Sequence, residues 1–419
     1  MQVLSCCGIL VVLAAVGLGY LIGTSPPNAQ VEAIPDDSLL QKVPSWPAFR
    51  FASGIMDFFS EGSYLVPPQL HVHQIATAYW KSEVAYTLTY HGIIDAVHDG
   101  SPAAGCIEVA FRLGGGLNQD VLCRYMRAGV GIGLLGWRAS PQGSKEEGLT
   151  SMRFHLTPAG NLLRKGVPGS LRDYVLYINE ESRDAYRAAG IHSMTSGRSG
   201  FMEAFGEEHF EWYAQRSSKQ KLFDDSMTAM TPVQAGPLLA DWSPPSPNAT
   251  VCDIGGGQGH LLAVILQHYP SLKGLLVDQP TVVNRSLAYL ASQNVGDRAA
   301  VIGASILEPL PSALAACDAF VLKMILHDWS DEQGAEILRN IARVAHPGAR
   351  LDLVEHVLLE GSFLLRRFVV LLDIHMQANH AARERTLPEF RELVRKAGIT
   401  SAVQPVRLRG TVMLLQMGL

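Results

Sequence analysis

Between Ala249 and Leu359 the chain alternates short apolar runs with longer segments whose apolar residues recur every three or four positions. "ATVCDIG", "LKGLLVD", "AAVIGAS", "AFVLKMIL" and "RLDLVEHVLL" have strand length and composition; "HLLAVILQHY", "TVVNRSLAYLASQ" and "AEILRNIARVA" repeat at helical spacing. Such alternation predicts a doubly wound α/β sheet. From about Leu39 to Met230 the pattern is mostly helical, as in Ile75, Ala78, Tyr79, Ser82 and Tyr86. Within it "AAGCIEVAFRLGGGLNQDVLCRYMRAGVGIGLL" and "MRFHLTPAGNLL" predict helix, turn, helix and a short β-wing, a winged-helix pattern. The proline-dense "DWSPPSPNAT", residues 241 to 250, separates the two regions. The domains expected are a helical one over 36–236 and an α/β one over 237–419, each large enough for its own core.

Residues 1–35 stand apart: "GILVVLAAVGLGYLIG" is apolar throughout, and no charged side chain precedes Glu32. This is long enough for a short membrane span or a signal-peptide core, but a basic leader is missing. The expectation is an uncleaved membrane anchor, with "SPPNAQVEAIPDD" as linker and Cys6 and Cys7 open to acylation.

Hydrophobic content of 47% against 17% charged describes a globular protein. A net charge of −5 gives no basic field for nucleic acid, and the arginines of the winged-helix stretch are only mildly in excess, so no nucleic-acid partner is expected. Six cysteines are scattered without a C-x-x-C pair or metal-ligand spacing. Reduced thiols and no metal are expected.

"VCDIGGGQGHLL" is a strand, a glycine turn and a helix start, suited to close backbone approach of a ligand. It fails the dinucleotide fingerprint, because His260 stands where the third glycine is due. Asp253 at this strand end and Asp278 at the next supply carboxylates instead. An acidic residue suits ribose hydroxyls, and a carboxylate beside the loop suits a cation; S-adenosylmethionine fits both better than a pyrophosphate cofactor does.

Ligands of open α/β sheets bind beyond the carboxyl ends of the strands. Asp253 to Gly257, Asp278, Gly303 to Ser305, Lys323 to His327, and Glu355 all fall there. After His327 a helix starts at Ser330 with Gln333 in a capping-box pattern, which gives Asp328 and Ser330 a structural task and leaves His327 at the cleft. Glu355 should face the same cleft, and Glu384 should head the final helical segment. A carboxylate on the far ring nitrogen would fix the tautomer and favour the imidazolium.

"VCDIGGGQGHLL", "GLLVDQPTVV", "DAFVLKMILHDWSDEQGAEILRNI", "LDLVEHVLL" and "RERTLPEFRELVRKAGI" together resemble the ordered motifs of the dimeric small-molecule O-methyltransferases, the caffeic-acid, flavonoid and acetylserotonin type. The resemblance runs from about His73 to the C-terminus and implies a class I S-adenosylmethionine-dependent methyltransferase domain behind a winged-helix dimerisation domain. It implies His327 as general base, held by Glu355 and Glu384. Asp253, Gly255 and Gly257 match the turn around the methionine part of the cofactor, Asp278 the ribose ligand, and Lys323 a cofactor contact; Gly303 and Ser305 close the same rim. Phe201, Phe205, His375, Met376 and Asn379 match substrate-lining segments. A homodimer acting without metal on a small phenol or hydroxyindole is implied. Supply of the cofactor, taken with the expected anchor, places the catalytic domain on the cytosolic face of a membrane. Two positions depart from the pattern: Ala304 replaces the carboxylate that receives the adenine amino group, and "NHAARERT" has alanines in place of glycines. The first motivates an alternative reading, a degenerate or repurposed member serving as a binding scaffold.

Overall fold

A computed structural model describes residues 45–49, 67–99, 103–139, 152–361 and 363–419. The expected anchor, 1–35, lies outside these residues; among the described residues no helix is long and apolar enough to cross a membrane.

Among the described residues, the N-terminal region is helical apart from one hairpin. Helices α1 (Tyr79–Tyr90), α2 (Cys106–Arg112) and α3 (Gln119–Gly131) precede β1 (Leu135–Ala139) and β2 (Met152–Leu156), which pair antiparallel. Leu88, Ile94, Val109, Leu122, Met126, Leu135 and Phe154 form their common core. This is the helix, turn, helix and wing read from the sequence. α4 (Arg172–Asn179), α5 (Glu181–Ala188), α6 (Gly200–Phe205), α7 (His209–Ala214) and the long α8 (Ser217–Asp241) follow. The boundary expected at 236/237 falls inside α8, which runs through Pro232 and Pro237.

The C-terminal region is a seven-stranded sheet. β3 (Thr250–Ile254), β4 (Lys273–Asp278), β5 (Ala299–Gly303), β6 (Ala319–Lys323) and β7 (Arg350–Glu355) are parallel, joined by α9 (His260–His268), α10 (Pro280–Ser292) and α11 (Asp331–Val344). α12 (Phe363–His380) and α13 (Leu387–Lys396) lead to β8 (Gln404–Arg407) and β9 (Met413–Gly418), which close one edge antiparallel in the order β8-β9-β7-β6-β3-β4-β5. Successive strand residues point to opposite faces, so β3 divides its side chains between two cores. Cys252 and Ile254 meet Ile337, Leu338 and Phe390 of α11 and α13, while Val251 meets Leu262 and Ile265 of α9. With both faces covered, the strands read as unbroken apolar runs.

The cysteine expectation is corrected here. Cys106 pairs with Cys123, and Cys252 with Cys317, as disulfides with Cα separations of 5.4 and 5.8 Å. Their separations in sequence, 17 and 65 residues, gave no local signal, because only the packing of α2 on α3 and the rise of β6 beside β3 bring them together.

A candidate active site beyond the strand ends

The parallel strands end on a cavity of about 330 Å³. Gly255, Gly257 and Gly259 turn the chain from β3 into α9 with φ of 70, 57 and 88°, a left-handed conformation that favours glycine. A β-carbon on Gly255 would lie 2.5 Å from Ile325 Cδ1, so this turn and the one carrying His327 touch. Gly257 N–H donates to Asp278 Oδ2 at 2.8 Å and Gln279 N–H to Oδ1 at 2.7 Å, leaving each oxygen further acceptor capacity. Burial raises the Asp278 pKa.

Asp253 is 1% exposed, and its Oδ2 has no hydrogen-bond partner. Burial carries its pKa up to about 7, against the pull of Lys323. Lys323, in turn, is pushed down by burial while Asp253, Glu355 and Asp328 oppose; its Nζ donates to Gln234 Oε1 at 3.1 Å. Ala304, Ser305 and Ile306 line the β5 end, whereas Gly303 lies behind the lining. Ala304 offers no side-chain acceptor; its N–H is spent on Asp278 O at 2.9 Å.

After β6, Met324 takes φ = 54° and the chain enters a 3₁₀ turn, Leu326–Asp328. His327 is 8% exposed on this turn. Its Nδ1 meets Glu384 Oε1 at 2.8 Å, and its Nε2 lies 3.5 Å from Asp328 Oδ1. Burial works against the charged ring, but Asp328, Glu384 and Glu355 together hold its pKa above the ordinary imidazole range. Glu384 is 0% exposed and does not head the helix as expected. It precedes Arg385–Thr386, which pairs with Val357–Leu358 beyond β7, and that pairing carries the carboxylate in to the ring. Glu355 differs from the expectation too. Its Oε1 accepts from Ile325 N–H at 3.1 Å and Leu326 N–H at 2.8 Å, so it holds the turn and not the imidazole.

Of the substrate candidates, His375 and Met376 line the cavity; Phe201, Phe205 and Asn379 do not. Phe201 is wholly buried in an aromatic block with Phe205, His209 and Tyr213, at ring separations of 4.6, 5.0 and 5.9 Å. Asn379 donates Nδ2 to its own helix at His375 O, 3.0 Å away.

Sequence reasoning missed Asp328, His380 and the aromatic wall of Tyr177, Phe210 and Phe223. Asp328 was legible beside His327, but the helix-start pattern absorbed it. His380 lies against His209 and Phe210 in tilted ring contacts, centroids 4.2 and 4.9 Å apart, with Nε2 3.9 Å from Asp328 Oδ1. Burial, helped by neighbouring histidines, lowers the His209 pKa to about 3, His375 to about 4, and His380 well below its usual value. Along the cavity wall the surroundings favour the charged form of His327, while burial disfavours the charged forms of His375 and His380. The site thus sets an imidazole fixed on a buried carboxylate beside a glycine turn with two acidic strand ends.

Residues 188–400 match the model of an O-methyltransferase domain. The chain is 33% identical over 333 residues to the phenazine O-methyltransferase PhzM of Lysobacter antibioticus, covering 80% of this chain and 91% of that one. It is 32% identical over 299 residues to the O-demethylpuromycin-O-methyltransferase of Streptomyces alboniger, covering 70% and 74%. A crystal structure of LaPhzM superposes with a TM-score of 0.74 at 30% identity, over 84% of this chain and 99% of that one.

Proposed function

The chain belongs to the O-methyltransferase domain family, and from that premise we propose that it moves the methyl group of S-adenosylmethionine to a hydroxyl of a small aromatic compound, with His327 as base. The observation that carries this reading is the imidazole, bound through Nδ1 to buried Glu384 at 2.8 Å, with Nε2 on the other side of the ring 3.5 Å from Asp328 Oδ1. Asp278 retains acceptor capacity for ribose hydroxyls, and the unpartnered Oδ2 of Asp253 suits an ammonium group. Gly255 and Gly257 let the backbone approach, with Ser305 and Lys323 on the rim. Bound there, S-adenosylmethionine supplies an electrophilic methyl group on a sulfonium.

A phenol has a pKa of about 10, so at neutral pH roughly one in a thousand is ionised, a deficit of about 4 kcal/mol for the nucleophile. Proton removal by His327 as the oxygen takes the methyl carbon offsets much of it, typically about 10²- to 10⁴-fold in rate. The O–H proton would go to Nε2 and Glu384 would stabilise the imidazolium, while bound S-adenosylmethionine would give up its methyl group and leave as neutral S-adenosylhomocysteine. In the free protein the surrounding carboxylates already favour a charged ring. A cation entering the cavity favours loss of that proton, which leaves the ring ready to act. Phe210, Trp329, Phe368 and Met376 offer flat apolar walls to an aromatic acceptor, and His375 a polar contact.

We also infer a homodimer. Val72, Ile75, Trp80 and Phe111 of the N-terminal helices are 64, 63, 55 and 85% exposed, an apolar surface suited to a second copy. A monomer at micromolar concentration in sedimentation would remove this part.

Ala304 favours the other reading, a scaffold that has lost cofactor affinity. Titrating S-adenosylmethionine into the full-length protein and then screening phenols for S-adenosylhomocysteine separates the two. Micromolar binding with product formation is expected; no binding of either compound would overturn the methyltransferase reading.

A further inference from the structure

Arg385 heads the fully buried side chains, with 0% of its surface exposed. A guanidinium stays charged at any pH the fold survives, so its burial must be matched by hydrogen bonds in the right directions. Here Nη1 donates to Leu326 O at 2.6 Å, Nη2 to Trp329 O at 2.7 Å, and Nε to Asp331 Oδ1 at 2.9 Å. The two carbonyls bracket His327 in the chain. Glu355 grips the same turn from the other side through the N–H groups of Ile325 and Leu326. The turn requires such support, because Met324 enters it in the left-handed region, which a non-glycine residue occupies only when its surroundings over-determine it. Glu384 immediately precedes Arg385, the first residue of the short strand Arg385–Thr386, so adjacent residues supply the ring's partner and the turn's clamp.

We propose that Arg385 is a positioning residue for His327: its planar fork, fixed by Asp331, locks the turn that keeps Nδ1 on Glu384 and Nε2 at the cavity. This rests on His327 being the base. A lysine keeps the charge but cannot serve two carbonyls and a carboxylate in one plane.

The test needs a readout that turnover alone does not provide. In full-length protein labelled with ¹⁵N-histidine, the His327 ring is identified by its loss in H327Q and titrated by NMR. Asp328, Glu384 and Glu355 favour its charged form, while His356, His375 and His380 would each repel it. In R385K the His327 midpoint should fall by about one pH unit or more as the ring leaves Glu384. With a phenol that the wild type methylates, kcat should fall about 100-fold while KM for S-adenosylmethionine stays within about threefold. D331A, which removes only the outer anchor, should shift the midpoint in the same direction and lower kcat about 5-fold. A folded R385K with wild-type titration and turnover overturns the proposal. So does a loss of thermal stability and cofactor affinity with an unmoved His327 midpoint, the mark of a purely structural arginine. If R385K does not fold, D331A decides by the same criteria. If the wild type methylates nothing, the midpoint still reads the clamp, and the two failures remain distinct.

Discussion

At one end of the cavity His327 is held through its ring by Glu384 and through its turn by Glu355, all three buried. At the other end, beyond β5, Ala304 and Ser305 present a methyl group and a hydroxyl already engaged with Leu307 N–H at 3.3 Å. The His327 end is over-determined and the β5 end is sparse. Removing one contact from the first should therefore be felt in the chemical step, whereas adding one to the second should be felt in affinity.

The largest effect is expected of H327A, with kcat lowered about 10²- to 10⁴-fold while calorimetry still detects cofactor binding. Wild-type turnover in that variant would remove the base and leave both ends passive. E384Q keeps shape but not charge; losing a charge-assisted hydrogen bond of about 1.5–3 kcal/mol predicts a kcat about 10- to 150-fold lower. Equal loss in kcat and in cofactor affinity would instead make Glu384 a general support of the cavity.

The carboxylates at the crowded end also couple cofactor binding to pH. In the free protein the His327 pKa is raised, that of Asp328 to about 6 and those of Asp253 and Glu355 to about 7. A bound cation lowers each of them, so binding releases protons and tightens as pH rises toward the free-protein values. Calorimetry at pH 7 in buffers of different ionisation enthalpy should show net release for S-adenosylmethionine and less for S-adenosylhomocysteine, whose sulfur is neutral. Uptake of protons would reverse the assigned sign.

At the sparse end, A304D should restore an acceptor and tighten cofactor binding about 2- to 10-fold, the worth of one added hydrogen bond of about 0.5–1.5 kcal/mol. No gain would mean that adenine does not lie at β5. The smallest effect is expected of A381G. Ala381 has φ = 51°, a conformation costing an alanine about 1–2 kcal/mol. Glycine removes that cost but loses more chain entropy, so thermal denaturation should show a net gain of about 0.5 kcal/mol, with kcat unchanged.

The alternation of apolar runs sufficed to predict the five parallel strands, their helices and the strand ends near which Asp253, Asp278 and His327 meet, because burial on both faces writes those strands into the sequence as continuous hydrophobicity; the antiparallel edge of β8 and β9 was not read. The Ser330 capping box was equally legible, being a contact between residues three apart. Motif order brought in Glu384, whose flanking arginines made it look like surface. Three decisions belonged to the tertiary structure alone. Glu355 was placed on the backbone of the turn and not on the ring; Phe201 and Phe205 were set behind the cavity wall; and Arg385, a fully buried charge beside His327, was aimed at the carbonyls around it. Each depends on the direction a side chain takes after segments distant in sequence have packed. Local periodicity specifies which face of a strand or helix is buried, but not which buried atom a polar group will find there.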